Sequence, residues 1–439
     1  MDHPQTLKKI IHKMTALGVH VRHTQMMIQA DPGSAKTNFA AILPCLYLLL
    51  NKFEHRYLIH IRGIPACLMP DAAEHLDDMK KNGIQYKKDK ECEQCKYFCS
   101  CPGWPFDKQP IRRPPAIKNI PHEIAFEVTQ KCNLNCPLCF NSQGGRDLPL
   151  VQIKQLLDEC RELGIPQVRF TGGEPLLYEH LEAALSYARK KNLYVIVNTN
   201  ATLLNEKTEF ILKNYTDHLL ISLQGFNPSS ECRLTRTRTD FQRKLLSINR
   251  LKTLVPSVQL GTIISRTLIR HFTEYLYLIT SLGIRNWGLF RPMLPTDSEE
   301  FCITPQHYQK LILGLIRQKP HGPNITIGNP IPFCITPTIK RNHYVLSGAE
   351  FDDGHNRLVV DVNGFLKPSY FIPVNLGLTI RESWGHPFIT KVQSLDYLPQ
   401  NCQTCGVVKW CKGGSRHWSR LTNDDYFKHD PLMKIPHHQ

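Results

Sequence analysis

The sequence predicts an α/β protein whose core is a largely parallel sheet with helices outside it. Segments with the two-residue period of strands alternate with segments of helical period through the centre of the chain. The predicted strands are 122–129, 167–171, 194–198, 219–223, 258–265 and 286–290, and the predicted helices are 151–163, 180–191, 241–251 and 271–282. About six strand–helix units fit an open sheet, a full barrel or a partial barrel, and in each the chemistry gathers at the carboxyl ends of the strands.

Flanking regions differ from this core in composition. The 439 residues suggest about three domains. We expect an N-terminal accessory domain over 1–90, a cysteine-rich segment with a proline-rich linker over 91–121, the core over 122–300, and a cysteine-rich extension over 301–439. Asn363-Gly364 between two short apolar runs predicts a β-hairpin in that extension.

Composition excludes some classes of protein. Apolar residues make up 41% of the chain, enough for packed cores. The longest apolar run, 39–50, is too short for a membrane span, which needs about 20 residues. With no secretory signal pattern at Met1 either, we expect a cytoplasmic protein with no membrane partner. The net charge of +16 favours anionic partners. Nucleic acid is one of them, but no run of five basic residues supports it.

The chain has sixteen cysteines. Disulfides are not expected, because the cytoplasm keeps thiols reduced. Their spacing therefore points to metal. Ten of them fall into three short groups, Cys92, Cys95, Cys99 and Cys101; Cys132, Cys136 and Cys139; and Cys402, Cys405 and Cys411.

The central group follows the first predicted strand directly. Three thiolates within eight residues can hold three irons of a [4Fe-4S] cube and leave the fourth iron open, whereas an ordinary electron-transfer cluster takes four cysteines. At the end of the next strand stands Gly172-Gly173-Glu174-Pro175. Its glycines allow close approach of backbone to a ligand, and its carboxylate suits a cationic amine. A zinc site is the structural alternative, but zinc commonly takes four ligands from two paired motifs.

These two motifs resemble the signature of the radical S-adenosylmethionine (radical SAM) superfamily. The resemblance implies a partial (β/α)6 TIM-type barrel, a [4Fe-4S] cluster on Cys132, Cys136 and Cys139, and S-adenosylmethionine on the open iron. It also implies an electron donor of the flavodoxin or ferredoxin type. By the same resemblance the cofactor would contact Glu174 through its ammonium, and also Gly172, Gly173, Phe140, Asn198, Asn200 and Ser222.

The two outer cysteine groups share one spacing, since Cys92-x₂-Cys95-x₅-Cys101 matches Cys402-x₂-Cys405-x₅-Cys411. This match predicts metal sites of one type at both ends. Zinc and iron–sulfur both fit the spacing, so one or two auxiliary [4Fe-4S] clusters are expected with zinc as the alternative. Further candidate thiolates are Cys99 and Cys67 near the first group and Cys334 as fourth ligand of the last.

The last group, within about 330–433, resembles the SPASM or twitch extension of many radical SAM enzymes. Where that extension usually has further cysteines, this chain has Ser369, Ser415 and Met433. A full two-cluster complement is therefore not expected. One cluster remains, either with Cys334 as fourth ligand or with an open iron that binds substrate.

Three functions follow as hypotheses. The first is a radical SAM enzyme that modifies a peptide or protein at unactivated carbon, which the SPASM resemblance favours. The second keeps the radical core for tetrapyrrole-type cofactor biosynthesis or tRNA modification. The third is a basic metal-binding protein that binds nucleic acid, and this hypothesis leaves Gly172–Pro175 unexplained.

Segment 233–240 is interpreted as a loop with three arginines. It would either hold an anionic group of the substrate or be a solvated turn.

Overall fold

The computed structural model describes five short strands within residues 19–105 and most of residues 120–433. Inside the second range it leaves out 142–143, 239, 318–321, 337–344, 347–348 and 350–351. The chain divides into two compact units, residues 1–117 and residues 118–439. No helix in the described part is long and apolar enough to cross a membrane.

The first unit contains two small sheets. In one, β1 pairs antiparallel with β2, and β2 pairs parallel with β3. In the other, β4 pairs antiparallel with β5. The strands are β1 (Val19–Arg22), β2 (Met27–Ala30), β3 (His60–Arg62), β4 (Tyr86–Lys87) and β5 (Trp104–Pro105).

The second unit is built on one sheet of nine strands in the order β12-β11-β10-β9-β8-β7-β6-β13-β14. Every neighbouring pair is parallel except the β13–β14 hairpin, and the two edges do not join. The strands are β6 (Glu123–Thr129), β7 (Gln167–Gly172), β8 (Tyr194–Thr199), β9 (His218–Ser222), β10 (Ser257–Ile263), β11 (Asn286–Phe290), β12 (Asn324–Gly328), β13 (Arg357–Val360) and β14 (Leu366–Lys367). The predicted α/β class is confirmed, and the open sheet is what a partial barrel requires.

Helices connect successive strands of this sheet and cover it. They are α1 (Leu150–Leu163), α2 (Leu181–Lys190), α3 (Glu206–Tyr215), α4 (Pro228–Thr235), α5 (Phe241–Leu254), α6 (Arg266–Arg270), α7 (Phe272–Ser281) and α8 (Pro305–Arg317). The C-terminal part adds α9 (Ile380–Trp384), α10 (Pro387–Ser394), α11 (Gln400–Gln403), α12 (Val408–Cys411) and α13 (Arg416–Asn423). All seven residues of β6 are buried, as expected of a central parallel strand covered on both faces.

Two predicted boundaries need correction. The segment 233–240 is not wholly a loop, because Arg233 lies in α4 and donates to Glu300 and Thr267 rather than projecting as a free clamp. The strand predicted over 258–265 ends at Ile263, because the Ser265 hydroxyl accepts from the Leu268 amide and caps α6.

A buried carboxylate joins the core to the C-terminal extension. Glu123, at the start of β6, accepts from Arg169 on β7 and Arg357 on β13. Burial favours the neutral acid, but the two guanidiniums outweigh it and lower the pKa of Glu123 to about 2. The predicted hairpin is confirmed, with Gly364 at a φ of 86° in the turn. Its first strand pairs directly with β6.

Candidate functional site

The three central cysteines lie on the loop that leaves β6 at the carboxyl edge of the sheet, and all three are partly buried. Neighbouring strand ends hold this loop in place. The Asn133 side chain donates to the Thr202 hydroxyl at 2.7 Å and accepts from the Asn200 amide at 2.9 Å. The Asn135 amide donates to the Thr237 hydroxyl at 2.8 Å. The loop is thus fixed to the segments that follow β8 and α4.

The thiols of this loop lie close enough to interact electrostatically. Burial raises the pKa of Cys136 to about 12, and negative charge on Cys139 and Cys132 raises it as well. Burial likewise raises the pKa of Cys132 and of Cys139. Three thiolates here need a compensating positive charge, which the irons of a cluster would supply. The donor set therefore fits a three-cysteine iron–sulfur cluster.

The Gly-Gly-Glu-Pro turn lies directly against the start of this loop. The Gly173 amide donates to the Thr129 carbonyl at 2.7 Å, and the Glu174 amide donates to the Lys131 carbonyl at 2.8 Å. A Cβ on Gly173 would lie 2.1 Å from the Lys131 carbonyl oxygen, and Gly172 has a φ of 129°. Only glycine permits this approach of two backbones.

Gly173→Ala should therefore displace the cysteine loop. We expect a loss of about 1–3 kcal/mol in the free energy of unfolding from overpacking, together with reduced iron uptake on reconstitution. Denaturant unfolding and iron analysis measure the two effects. Gly145→Ala is the matched control, since a Cβ there meets nothing within 4 Å. Equal behaviour of the two variants would contradict the close approach.

Glu174 is buried at 1% exposure and joins the ends of β7 and β8. Its carboxylate accepts from the Thr199 hydroxyl at 2.6 Å, the Asn200 amide at 2.7 Å and the Leu176 amide at 3.2 Å. Burial raises the pKa of Glu174, while these hydrogen bonds act in the opposite direction. A carboxylate has about four acceptor sites, so three donors leave room for about one more. Contact with the cofactor's ammonium stays a prediction.

The other predicted cofactor contacts lie at neighbouring strand ends but have different partners. Asn200 is buried and links Glu174 to Asn133. Asn198 instead accepts from Arg169 at 2.9 Å, within the polar interior. Ser222 is the last residue of β9, beside β8 and β10. The structure brings these residues to one edge of the sheet, and their contact with a cofactor stays a prediction.

Phe140, the residue after Cys139, contacts the C-terminal part of the chain. Its ring centroid lies 4.8 Å from that of Tyr370 and 6.0 Å from that of Phe371. The Phe371 ring in turn lies 5.6 Å from the ring of His417. Aromatic packing thus connects the cysteine loop to the region of the last cysteine group.

Sequence reasoning missed a buried ion pair between α4 and α5. Lys244 on α5 lies 2.5 Å from Glu231 on α4, and both side chains are 1% exposed. The positive charge of Lys244 is among the influences that lower the pKa of Cys136 and of Glu174, although burial dominates both. The two residues are 13 positions apart on different helices, so no sequence motif signals their contact.

Cys334 lies near the last cysteine group, and its role as a fourth ligand stays a prediction. Burial raises the pKa of Cys411 to about 12 and of Cys402 to about 11, and charge on Cys334 raises both. The Phe333 amide donates to Cys411 Sγ at 3.4 Å. Cys402 Sγ lies 3.9 Å from Met433 Sδ. Negative charge on Cys405 also raises the pKa of Cys402, so all four cysteines lie in this region.

The two serines that stand in place of expected cysteines have structural contacts of their own. The Ser369 hydroxyl accepts from the amides of Phe371 and Ile372, and it is 2% exposed. Ser415 is fully buried and caps α13 by accepting from the Trp418 amide at 3.2 Å. Both hydroxyls therefore accept hydrogen bonds from the local backbone, Ser369 in a turn and Ser415 at the start of a helix.

Some predicted metal ligands cannot be placed. Cys92, Cys95, Cys99, Cys101 and Cys67 lie outside the described residues. None of the ten cysteines in the described part forms a disulfide. In the same part, no group of three or more His, Cys, Asp or Glu side chains is arranged to hold a metal ion, so the fit of the cysteines to a cluster rests on their type, spacing and burial.

Comparison with known proteins identifies a family match and several relatives. Residues 126–274 match the family model of the Radical SAM superfamily. The AdoMet-dependent heme synthase of Methanosarcina barkeri is 25% identical over 342 residues, which cover 72% of this chain and 97% of that enzyme. The PqqA peptide cyclase of Gluconobacter oxydans is 23% identical over 337 residues, which cover 72% and 92%.

A solved structure has the same fold. Streptococcus suis SuiB bound to S-adenosylmethionine superimposes with a TM-score of 0.59 at 17% identity, over 72% of this chain and 78% of SuiB. The three-cysteine loop on the first strand of an open parallel sheet, together with the family-model match, defines the class. Residues 126–274 form a domain of the Radical SAM superfamily. The resemblance noted from the two sequence motifs is confirmed.

Proposed function

We propose that this protein is a radical SAM enzyme that modifies a peptide or protein substrate at unactivated carbon. The observation that carries the proposal is the loop of three partly buried cysteines, held at the carboxyl edge of the sheet through Asn133, Asn200 and Glu174. When bound there, a [4Fe-4S] cluster and S-adenosylmethionine supply a 5′-deoxyadenosyl radical that abstracts hydrogen from carbon.

The chain's own residues bind and orient these groups. Cys132, Cys136 and Cys139 would hold three irons, and the backbone of Gly172 and Gly173 would let the cofactor lie close to the loop. Glu174 fixes the segment after β8 and has about one acceptor site left for an ammonium. The remaining contacts that we assign to the cofactor are Phe140, Asn198, Asn200 and Ser222.

Support for a peptide substrate comes from relatives. One of them is named a PqqA peptide cyclase, and SuiB has also been solved with its precursor peptide SuiA. The second candidate is a tetrapyrrole substrate, favoured by the similarity to the AdoMet-dependent heme synthase over nearly all of that enzyme's length. We favour the peptide because both the PqqA cyclase and the SuiB structure agree on it.

For the C-terminal extension we propose one auxiliary [4Fe-4S] cluster, held by Cys402, Cys405, Cys411 and Cys334. The charge on Cys334 raises the pKa of Cys402 and of Cys411, and the charge on Cys405 raises that of Cys402, which supports the assignment. The buried hydroxyls of Ser369 and Ser415 are already engaged, which argues against a second cluster beside it. Zinc in the same four-cysteine site is the alternative. The N-terminal group stays a candidate for a site of the same type.

Deuterium transfer separates the two substrate classes. The reconstituted protein is incubated anaerobically with S-adenosylmethionine and reduced flavodoxin, the proposed type of electron donor. One reaction adds a short peptide deuterated at its side-chain carbons, and the other adds a deuterated tetrapyrrole with carboxylate side chains. We expect deuterium in 5′-deoxyadenosine from the peptide only. Transfer from the tetrapyrrole alone would favour the second candidate, and mass spectrometry reads both outcomes.

A further inference from the structure

The end of α4 packs against the cysteine loop. Leu234 in the last turn of α4 and Leu138 in the loop belong to one small cluster of buried apolar side chains. Just beyond the helix, the Thr237 hydroxyl accepts from the Asn135 amide of the loop at 2.8 Å. An apolar contact and a hydrogen bond therefore hold residues 236–238, the turn after α4, beside the loop that we assign to the central cluster.

This turn also has hydrogen bonds of its own. The Thr235 hydroxyl donates to the Glu231 carbonyl at 2.8 Å, and the Thr237 hydroxyl donates to the Thr235 carbonyl at 3.1 Å. The backbone of the turn is thus fixed both to its own helix and to the cysteine loop. Side chains that project from the turn keep a defined position relative to that loop.

Two exposed arginines, Arg236 and Arg238, flank Thr237 in this turn. Within the described part of the chain, neither guanidinium forms a hydrogen bond or an ion pair. Arg233 differs from them, because it pairs with Glu300 at 2.9 Å. The turn therefore presents two positive charges to solvent, directly beside the cysteine loop.

The carboxylates closest to these arginines along the turn and the loop are engaged elsewhere. Asp240, two residues after Arg238, caps α5 by accepting from the Arg243 amide at 2.9 Å. Asp147 pairs with Lys131 at the start of the loop, at 2.6 Å. The positive charge of the turn is therefore available to a partner of opposite charge.

The backbone of Arg236 gives a second reason to assign a role to this turn. Arg236 is the residue after α4 and has left-handed geometry, with a φ of 51° and a ψ of 26°. Glycine is the usual residue at such a position, because a Cβ makes this geometry unfavourable. The stability of α4 alone would favour glycine, so the arginine serves another purpose.

We propose that Arg236 and Arg238 form part of the docking surface for an acidic electron-donor protein that reduces the central cluster. The assignment rests on the proposed function, because only a cluster on this loop requires such a donor. One electron passes from the donor to the oxidised cluster, and no atom is transferred. The donor has to approach the loop where it is open to solvent, and the exposed Asn135 lies there beside the turn.

An acidic protein surface fits this turn better than an anionic group of the substrate. Hydrogen abstraction needs a substrate held where water is excluded, whereas these two arginines face solvent. Exposed charges of one sign raise the rate of encounter with an oppositely charged protein and orient it. The net charge of +16 acts in the same direction.

The test measures docking and reduction separately, with a flavodoxin of net negative charge as the probe. Calorimetry at low ionic strength gives the Kd of oxidised flavodoxin for the reconstituted full chain. Arg236→Gly with Arg238→Gln should raise this Kd about tenfold, because each exposed ion pair contributes about threefold. Added salt should weaken binding to the wild type more than to the double variant.

Cleavage of S-adenosylmethionine without substrate is then compared with two reductants. At subsaturating reduced flavodoxin, the double variant at Arg236 and Arg238 should be about tenfold slower than the wild type. With dithionite, a small reductant that needs no docking surface, the two proteins should be equally fast. Arg236→Lys with Arg238→Lys keeps both charges and should restore flavodoxin binding.

Arg161→Gln with Lys190→Gln is the matched control, because it also removes two exposed charges. These residues lie in the last turns of α1 and α2, which lead to the amino edge of the sheet, away from the loop. The control should bind flavodoxin as the wild type does. Equal Kd values in the control and in the double variant at Arg236 and Arg238 would overturn the proposal.

An equal loss of cleavage with dithionite would also overturn the proposal, since it would assign the arginines to the cofactor or the substrate. If the double variant is unstable, Arg236→Gly alone decides the matter, because glycine suits the φ of 51°. It should then raise the Kd about threefold. A wild type that cannot cleave S-adenosylmethionine with dithionite would instead overturn the proposed function, whatever its affinity for flavodoxin.

Discussion

Alanine at any one of Cys132, Cys136 and Cys139 is expected to abolish the conversion of S-adenosylmethionine to 5′-deoxyadenosine and methionine. Two thiolates cannot hold a cube with one open iron, and segment 130–148 contains no other cysteine. We expect turnover below detection and a loss of about four irons per chain. Anaerobic reconstitution with a chemical reductant, followed by chromatography and iron and sulfide analysis, measures both.

Cys302→Ala is the control for this experiment. The Cys302 thiol is exposed and contacts only backbone carbonyls of Thr296 and Ser298 among the contacts described. The same chemical change should leave turnover and iron content unaltered there. Full turnover in any one of the three loop variants would show that the loop does not carry the cluster.

The second large effect concerns the C-terminal group. Replacing both Cys402 and Cys405 by alanine should remove about four irons from a total of about eight, or of about twelve if the N-terminal group also holds a cluster. Cleavage of S-adenosylmethionine without substrate should persist, because it needs only the central loop. Product formation should fall far more, because an auxiliary cluster would hold substrate or take the electron released after hydrogen abstraction.

The paired substitution of Cys232 and Cys302 by alanine controls for the loss of two thiols, since both residues lie outside the three groups. Elemental analysis separates iron from zinc. A wild type with about four irons and stoichiometric zinc, released by the Cys402 and Cys405 changes, would make the extension structural. Cys334→Ser then identifies the fourth ligand, because iron or zinc should be lost only if Cys334 binds it.

Local sequence patterns predicted most of the strands in the core sheet. The six central strands have clear period-two patterns, and each forms within about two residues of its predicted bounds. The strand β12 was missed because its five residues offer only Ile325 and Ile327 as a periodic signal. The pairing of β13 with β6 joins residues more than 200 positions apart, and no local signal reports such a contact.

The residues of the candidate site were likewise predictable from the sequence only in part. Spacing alone identified the cysteine groups and Glu174, because their chemistry is contained in short motifs. Spacing could not identify Lys244 and Glu231, whose side chains meet only after α4 and α5 pack together. Nor could it show that Glu174 binds Thr199 and Asn200, since these contacts depend on the neighbouring strand.

The pairing of β13 with β6 also bears on how the chain is synthesised. β6 emerges from the ribosome long before Arg357–Val360, and until they arrive one side of this buried strand has unpaired amide and carbonyl groups. Contacts of such long sequence separation form late. The strand that supports the cysteine loop is therefore completed only when most of the chain has been made. A protein truncated before residue 357 would keep all three loop cysteines but would leave this edge of β6 unpaired, and an exposed strand edge is prone to aggregation.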